Sequence, residues 1–185
     1  MQNNVGIYAS QISGHLWAPA GAYDALATVT VPSGGVASVT FAGIPTGYKH
    51  LQLRYFAQTS NGSAVAGFIR LNGNTTIGDY SLHLLDGNGS SASAYGAADD
   101  YSQSILPPSS SSTFSATIVD ILDYTNTNKY KTIRSLSGYD ANGSGVVRYS
   151  SGGFYANTNA ITEINIIAAA GNLTQYSQFA LYGVK

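Results

Sequence analysis

The residues of this chain that could do chemistry are three histidines, two closely spaced aspartates, a repeated Asp-x-Asn-Gly-Ser sequence and a scatter of tyrosines. His50 and His83 fall in strand-like stretches and His15 in an irregular opening segment. Asp79 precedes His83 by four residues. On a strand that places the two on one face but about 13 Å apart, too far to share a metal ion. Asp120 and Asp123 suggest a paired acid and base, yet residues three apart on a strand point to opposite faces. The expectation is structural: Asp120 accepts hydrogen bonds from Arg134 or Lys131 on the next strand, and Asp123 caps a turn over residues 125–128. There is no Gly-x-Ser-x-Gly elbow and no cysteine nucleophile. A serine triad can be assembled from any chain order, so the many serines carry no information.

Asp86-Gly87-Asn88-Gly89-Ser90 and Asp140-Ala141-Asn142-Gly143-Ser144 resemble the start of a calcium loop, with oxygens at alternate positions. Neither has a glutamate at the twelfth position, and Asp-x-Asn-Gly is also ordinary Asx-turn chemistry. Turns are therefore expected at both places. No catalytic residue, metal site or cofactor is assigned. Tyr95, Tyr101, Tyr139, Tyr149 and Tyr155 fall in or near predicted loops. They could stack on sugar rings or pack at a protein interface, where tyrosine is enriched. The sequence does not separate these roles, and the interface is the reading adopted.

Composition narrows the field. The chain has 185 residues, 44% hydrophobic but only 9% charged, with 14 tyrosines. Charged residues usually make up about 25%. Glu163 is the sole glutamate, which argues against a solvated helical protein. Ser, Thr, Asn, Gly, Val, Ile and Tyr suit pleated faces and tight turns. A net charge of −1 offers no basic footprint for nucleic acid and little repulsion against self-association. Absence of cysteine rules out disulfides and thiolate sites. No secretory leader or membrane span is read. The chain is expected to be made in a cytoplasm and soluble there, with the sequons at Asn61, Asn74, Asn88, Asn142 and Asn172 serving as turns.

The elements that must position these residues follow from alternation and breakers. Residues 1–22 are expected to form an extended arm in which Ile12, Leu16 and Trp17 need a surface to lie against. A β-sandwich domain is expected over 23–185. Its strands cover 25–31, 36–41, 48–57, 67–71, 80–85, 114–124, 129–138, 146–150, 161–168 and 177–184. Residues 51, 53 and 55 face one way; 50, 52, 54 and 56 face the other. Strand 67–71 is expected to pair with 80–85 across Asn72-Gly73-Asn74, and 86–100 to form a long polar loop. Nine or ten short strands without an amphipathic helix predict an all-β antiparallel sandwich, jelly-roll-like.

Tyr48-x-His50-Leu51-Gln52-Leu53-Arg54 resembles a recurring segment in virion structural proteins of tailed bacteriophages. Asp120-Ile121-Leu122-Asp123-Tyr124 is similar to another, with Asn126, Asn128-Lys129 and Lys131-Thr132 after it. So are Gly138-x-Asp140, Ala160-Ile161-Thr162 and the ending Ser177–Lys185. The matches run in the same order over most of residues 23–185. Phe154 stands where that family often has Trp, and Gln58 where it often has a second Arg. The resemblance implies a non-enzymatic virion component with a jelly-roll-like body. The leading expectation is a capsid decoration (cement) protein. It would self-associate, as a homotrimer, and bind the major capsid protein or other virion proteins, its arm reaching over neighbouring subunits. Neither nucleic acid nor membrane is an expected partner. The alternative is a tail-fibre or spike module that binds host surface polysaccharide through loop tyrosines and residues 86–100.

Overall fold

A computed structural model describes residues 21–185, so Ile12, Leu16 and Trp17, with the rest of 1–20, lie outside the described residues. The described residues form twelve strands: β1 (Tyr23–Thr30), β2 (Ser38–Ala42), β3 (His50–Ala57), β4 (Val65–Leu71), β5 (Tyr80–Gly87), β6 (Ala92–Asp99), β7 (Ser102–Leu106), β8 (Ser115–Leu122), β9 (Lys131–Asp140), β10 (Gly145–Phe154), β11 (Glu163–Ala168) and β12 (Gln178–Val184). All pair antiparallel, in an eight-stranded sheet ordered β1-β12-β3-β8-β9-β10-β5-β6 and a four-stranded sheet ordered β2-β11-β4-β7.

The architecture is a β-sandwich, and its connectivity is that of a jelly roll with two added hairpins. β1-β12-β3-β8 faces β2-β11-β4-β7, and the chain crosses between the sheets on the way from β1 to β4 and again from β7 to β12. The hairpins β5–β6 and β9–β10 both extend the large sheet beyond β8. The period-2 pattern explains the layering. In β3, Leu51, Leu53, Tyr55 and Ala57 are buried, while the alternate residues face outward. They meet Val119 and Ile121 of β8, Phe179 and Leu181 of β12, and Ile69, Ile164 and Ile166 of the small sheet. Tyr55 and Phe179 pack with ring centroids 4.9 Å apart.

Two expectations are corrected. Strand 67–71 does not pair with 80–85. Both edges of β4 are occupied, by β11 and β7, while β5 lies in the other sheet between β10 and β6. The turn at Asn72-Gly73 is real, with positive φ at both residues. However, Asn72 Oδ1 accepts from Thr162 N and Glu163 N, which ties the turn to β11 and sends the chain across to the large sheet. The Tyr80 hydroxyl closes that crossing by accepting from Leu71 N at 2.7 Å. Second, 86–100 is not a loop, because Ala92–Asp99 forms β6 on β5. Ala, Ser and Gly have low strand propensity; the neighbouring hairpin, not local preference, makes this segment extended. The short strand β7 also went unpredicted.

β7 shows how the interior under the added strands is built. It is an edge strand, and its open edge points at the large sheet. Ser135 Oγ donates to Gln103 O, Ile105 N donates to Ser137 Oγ, and Arg148 Nη1 donates to Ser104 O. Serine is small enough to let one backbone approach the other sheet and polar enough to satisfy it. Arg148 also makes a bidentate pair with Asp86, at 2.8 and 2.7 Å. The two departures from the phage pattern are core fittings here. Phe154 packs on Tyr80 at 4.9 Å. Buried Gln58 donates to Pro108 O and Thr113 O.

Candidate interaction surface on the outer face of the large sheet

The register fixes which outward residues lie side by side. One row crosses the sheet as Arg54, Ile118, Leu136, Tyr149, Leu85 and Ala94. The next row carries Phe56, Ala116, Gly138 and Val147. Together they make an apolar shelf. Its large members Phe56, Leu85, Ile118, Leu136, Val147 and Tyr149 are each between 42% and 57% exposed. A shallow depression of about 590 Å³ lies on it, walled by Tyr182, Arg54, Phe56, Ile118, Leu136 and Val147. Large hydrophobic side chains scattered singly over a surface need no explanation, but six in two adjoining rows do.

A polar row borders the shelf: Gln52, Asp120, Arg134, Ser151 and His83. Gln52 Nε2 donates to Asp120 Oδ1 at 2.8 Å, and Arg134 lies 3.5 Å from Asp120 Oδ2. Of the two donors expected for Asp120, Arg134 is therefore the one that reaches it. Lys131 is instead buried, its ammonium donating to the carbonyls of Asn126, Lys129 and Thr158. Arg54 donates to Gln52 Oε1, and its guanidinium lies 4.9 Å from the Tyr23 ring centroid and 5.0 Å from that of Tyr182. Segment 48–54, segment 120–124 and the 177–185 ending thus fall on three neighbouring strands, β3, β8 and β12, alternating between core positions and this bordered face.

Asp120 and Asp123 serve different partners. Asp123 has a left-handed φ of 48°, its carboxylate pairs with Lys129, and that hydrogen bond holds its pKa below the usual carboxylate value. Its backbone N–H donates to His50 Nδ1 at 2.9 Å, so that nitrogen acts as an acceptor. The two Asp-x-Asn-Gly-Ser sequences come together at one end of the sheet, around Tyr139. Each is an Asx turn. Asn88 Oδ1 accepts from Ser90 N and Ser91 N, Asp140 Oδ1 accepts from Gly143 N, and Asp86 is held by Arg148. Among the described residues, no group of three or more His, Asp or Glu side chains is placed to share a metal ion.

The five singled-out tyrosines do not form one site. Tyr149 belongs to the shelf, Tyr139 lies beside the Asx turns, and Tyr155 packs on Tyr130 at 5.2 Å. Tyr95 projects 59% exposed from β6. Tyr101 stacks on Phe68 at 3.7 Å, and burial followed by the Asp99 carboxylate pushes its pKa up to about 12. The shelf residues Phe56, Ile118, Leu136, Val147 and Leu85 were not singled out from sequence. The available signal was that β3, β8, β9 and β10 carry apolar residues at both parities, which a strand with one solvated face does not need.

No family model matches this chain, and no curated protein matches it. Among solved structures it is similar to the galectin LEC-6 of Caenorhabditis elegans, at 10% identity over 85% of this chain and 95% of that one, with a TM-score of 0.30.

Proposed function

We propose that this chain is a non-enzymatic structural protein of a phage virion, a capsid decoration (cement) protein that self-associates and attaches by having its outer sheet face covered by other protein. The observation that carries the interface part is the apolar shelf, two registered rows of half-exposed side chains bordered by a polar ladder. A centre of apolar residues with a polar rim is the ordinary anatomy of a protein interface. The virion assignment rests on the ordered resemblance of segments that fall on β3, β8, β9 and β12. Few charges lower the desolvation cost of covering a broad face. The segment 1–22, with Ile12, Leu16 and Trp17, supplies a second contact, and linked contacts reinforce each other through effective concentration.

The test is binding of purified protein to empty phage heads. The double variant Ile118→Asn, Leu136→Gln is expected to fold and to bind about tenfold or more weakly. Deletion of residues 1–20 is expected to weaken binding separately. Full binding by both variants would sink the proposal. One observation favours a second reading, host-glycan recognition: exposed Tyr95 lies near the Tyr101–Phe68 stack. Saccharide binding on a glycan array, abolished by Tyr95→Ala or Tyr101→Ala, would favour it over cement.

A further inference from the structure

The two sheets have four edge strands, and three of them are blocked. β1 carries a bulge between Ala25 and Ala27 and a flanking ion pair, Lys185 Nζ to Asp24 Oδ1 at 2.8 Å. β2 is only five residues long. β7 is capped by Ser135, Ser137 and Arg148. Bulges, charges, shortness and capping are the standard means of keeping an edge from pairing with another chain.

Before its last residue, β6 has none of these. It is eight residues long, exposed over Ala92–Gly96, and it carries no proline and no charge before Asp99. Its hairpin with β5 closes at Asn88 and Ser91, where Asn88 N donates to Ser91 O. Hydrogen-bonded pairs alternate from that point, so the N–H and C=O groups of Ala92, Ala94, Gly96 and Ala98 point away from β5. Among the described residues, nothing outside β5 pairs with this edge.

We infer that β6 is the pairing edge for a second copy of this chain, joined antiparallel about a twofold axis so that two large sheets become one. This rests on the self-association proposed above and names its seam, which makes a twofold pair in place of the homotrimer expected from the resemblance. The occupant follows from self-complementarity. Pairing centred on Tyr95 sets Ala94 against Gly96, Ala92 against Ala98 and Ser93 against Ala97. Asp99 then meets Ser91 of the other copy rather than its own counterpart, so no like charges oppose each other. The outward side chains Ala92, Ala94, Gly96 and Ala98 are small and leave the joint flat. The shelf row ends at Ala94, so the pairing carries the shelf of one copy into that of the next on the same side.

The experiment combines sedimentation of the full chain with hydrogen exchange at two protein concentrations. The amides of Ala92, Ala94, Gly96 and Ala98 are expected to exchange about tenfold or more slowly in concentrated than in dilute protein. Ala94→Pro removes an outward N–H that β5 does not use, and Ala94→Lys adds an edge charge. Each is expected to weaken pairing about tenfold or more. Oligomers that persist in both variants, with these amides exchanging at the solvent rate, overturn the edge proposal and leave self-association standing. A wild-type chain that is monomeric at every concentration overturns both. Protection that is independent of concentration places a segment of the same chain on β6 and overturns the edge proposal alone.

Discussion

The two halves of the large sheet are built on different principles. β1, β12, β3 and β8 lie over the small sheet and meet it through aliphatic and aromatic side chains such as Leu53, Phe179 and Ile121, all buried. β9 and β10 meet β7 through Ser135, Ser137 and Arg148. The first half is held by packing, which has no direction. The second is held by hydrogen bonds at fixed positions, whose loss leaves buried polar groups without partners. Added hairpins enlarge a sheet without enlarging its covering layer, so the new strands must satisfy an exposed edge of the small sheet as well as bury apolar side chains such as Ile133, Tyr80 and Phe154. The same extension creates the β6 edge, unpaired among the described residues, and widens the outer shelf.

The largest effect expected from this contrast is in the packed half. Phe179→Ala removes a fully buried ring and is expected to cost about 4 kcal/mol in urea unfolding. In the polar half, Arg148→Met strands the Asp86 carboxylate and Ser104 O, and should cost about 3 kcal/mol. Adding Asp86→Leu to Arg148→Met should recover part of that loss, because the uncompensated charge is gone. No recovery would mean that the seam depends on packing after all.

Two tyrosines at crossing points make alkaline pH a probe of the boundary. Tyr55 donates to Ser104 Oγ at 2.6 Å, and Tyr80 accepts from Leu71 N. Burial pushes both pKa values from 10.0 up to about 12. A raised phenol pKa means the folded state keeps its proton while the unfolded chain loses it. This contribution is fully present below pH 10 and disappears as pH rises from 10 to 12. It amounts to about 3 kcal/mol per tyrosine at most, read by denaturation at several pH values. Tyr55→Phe should flatten half of that slope.

How much of this was legible in sequence depended on whether a strand owes its form to its own residues. The faces of β3 follow from residue parity and β12 alternates apolar with small or polar residues, whereas β8 and β9 carry apolar residues at both parities and were legible only as strands. β6 is written in Ala, Ser and Gly and is extended only because β5 lies beside it. β7 is too short to show a period. Its neighbours Pro107 and Pro108 mark the end of a strand but also suit a loop. The pairing of β4 depends on Asn72 reaching Thr162 and Glu163, some ninety residues away, which no local pattern records. The shelf was missed because outward apolar residues look like core when the facing strand is unknown. Leu136 in β9 and Val147 in β10 acquire meaning only when register sets each in its row beside the other strands.

The smallest expected stability change therefore separates the two faces most sharply. Leu136 and Leu53 are both central leucines on the large sheet, but Leu53 is fully buried and Leu136 is 54% exposed. Leu136→Gln keeps side-chain length and strands no buried group, so unfolding should shift by about 0.5 kcal/mol or less. If the shelf is a covered surface, the same variant should weaken assembly well beyond that, because the amide must be desolvated against its partner. A stability loss as large as that of a buried leucine would mean that Leu136 is core in the isolated chain. An unchanged assembly state would mean that the shelf is ordinary solvent-facing surface.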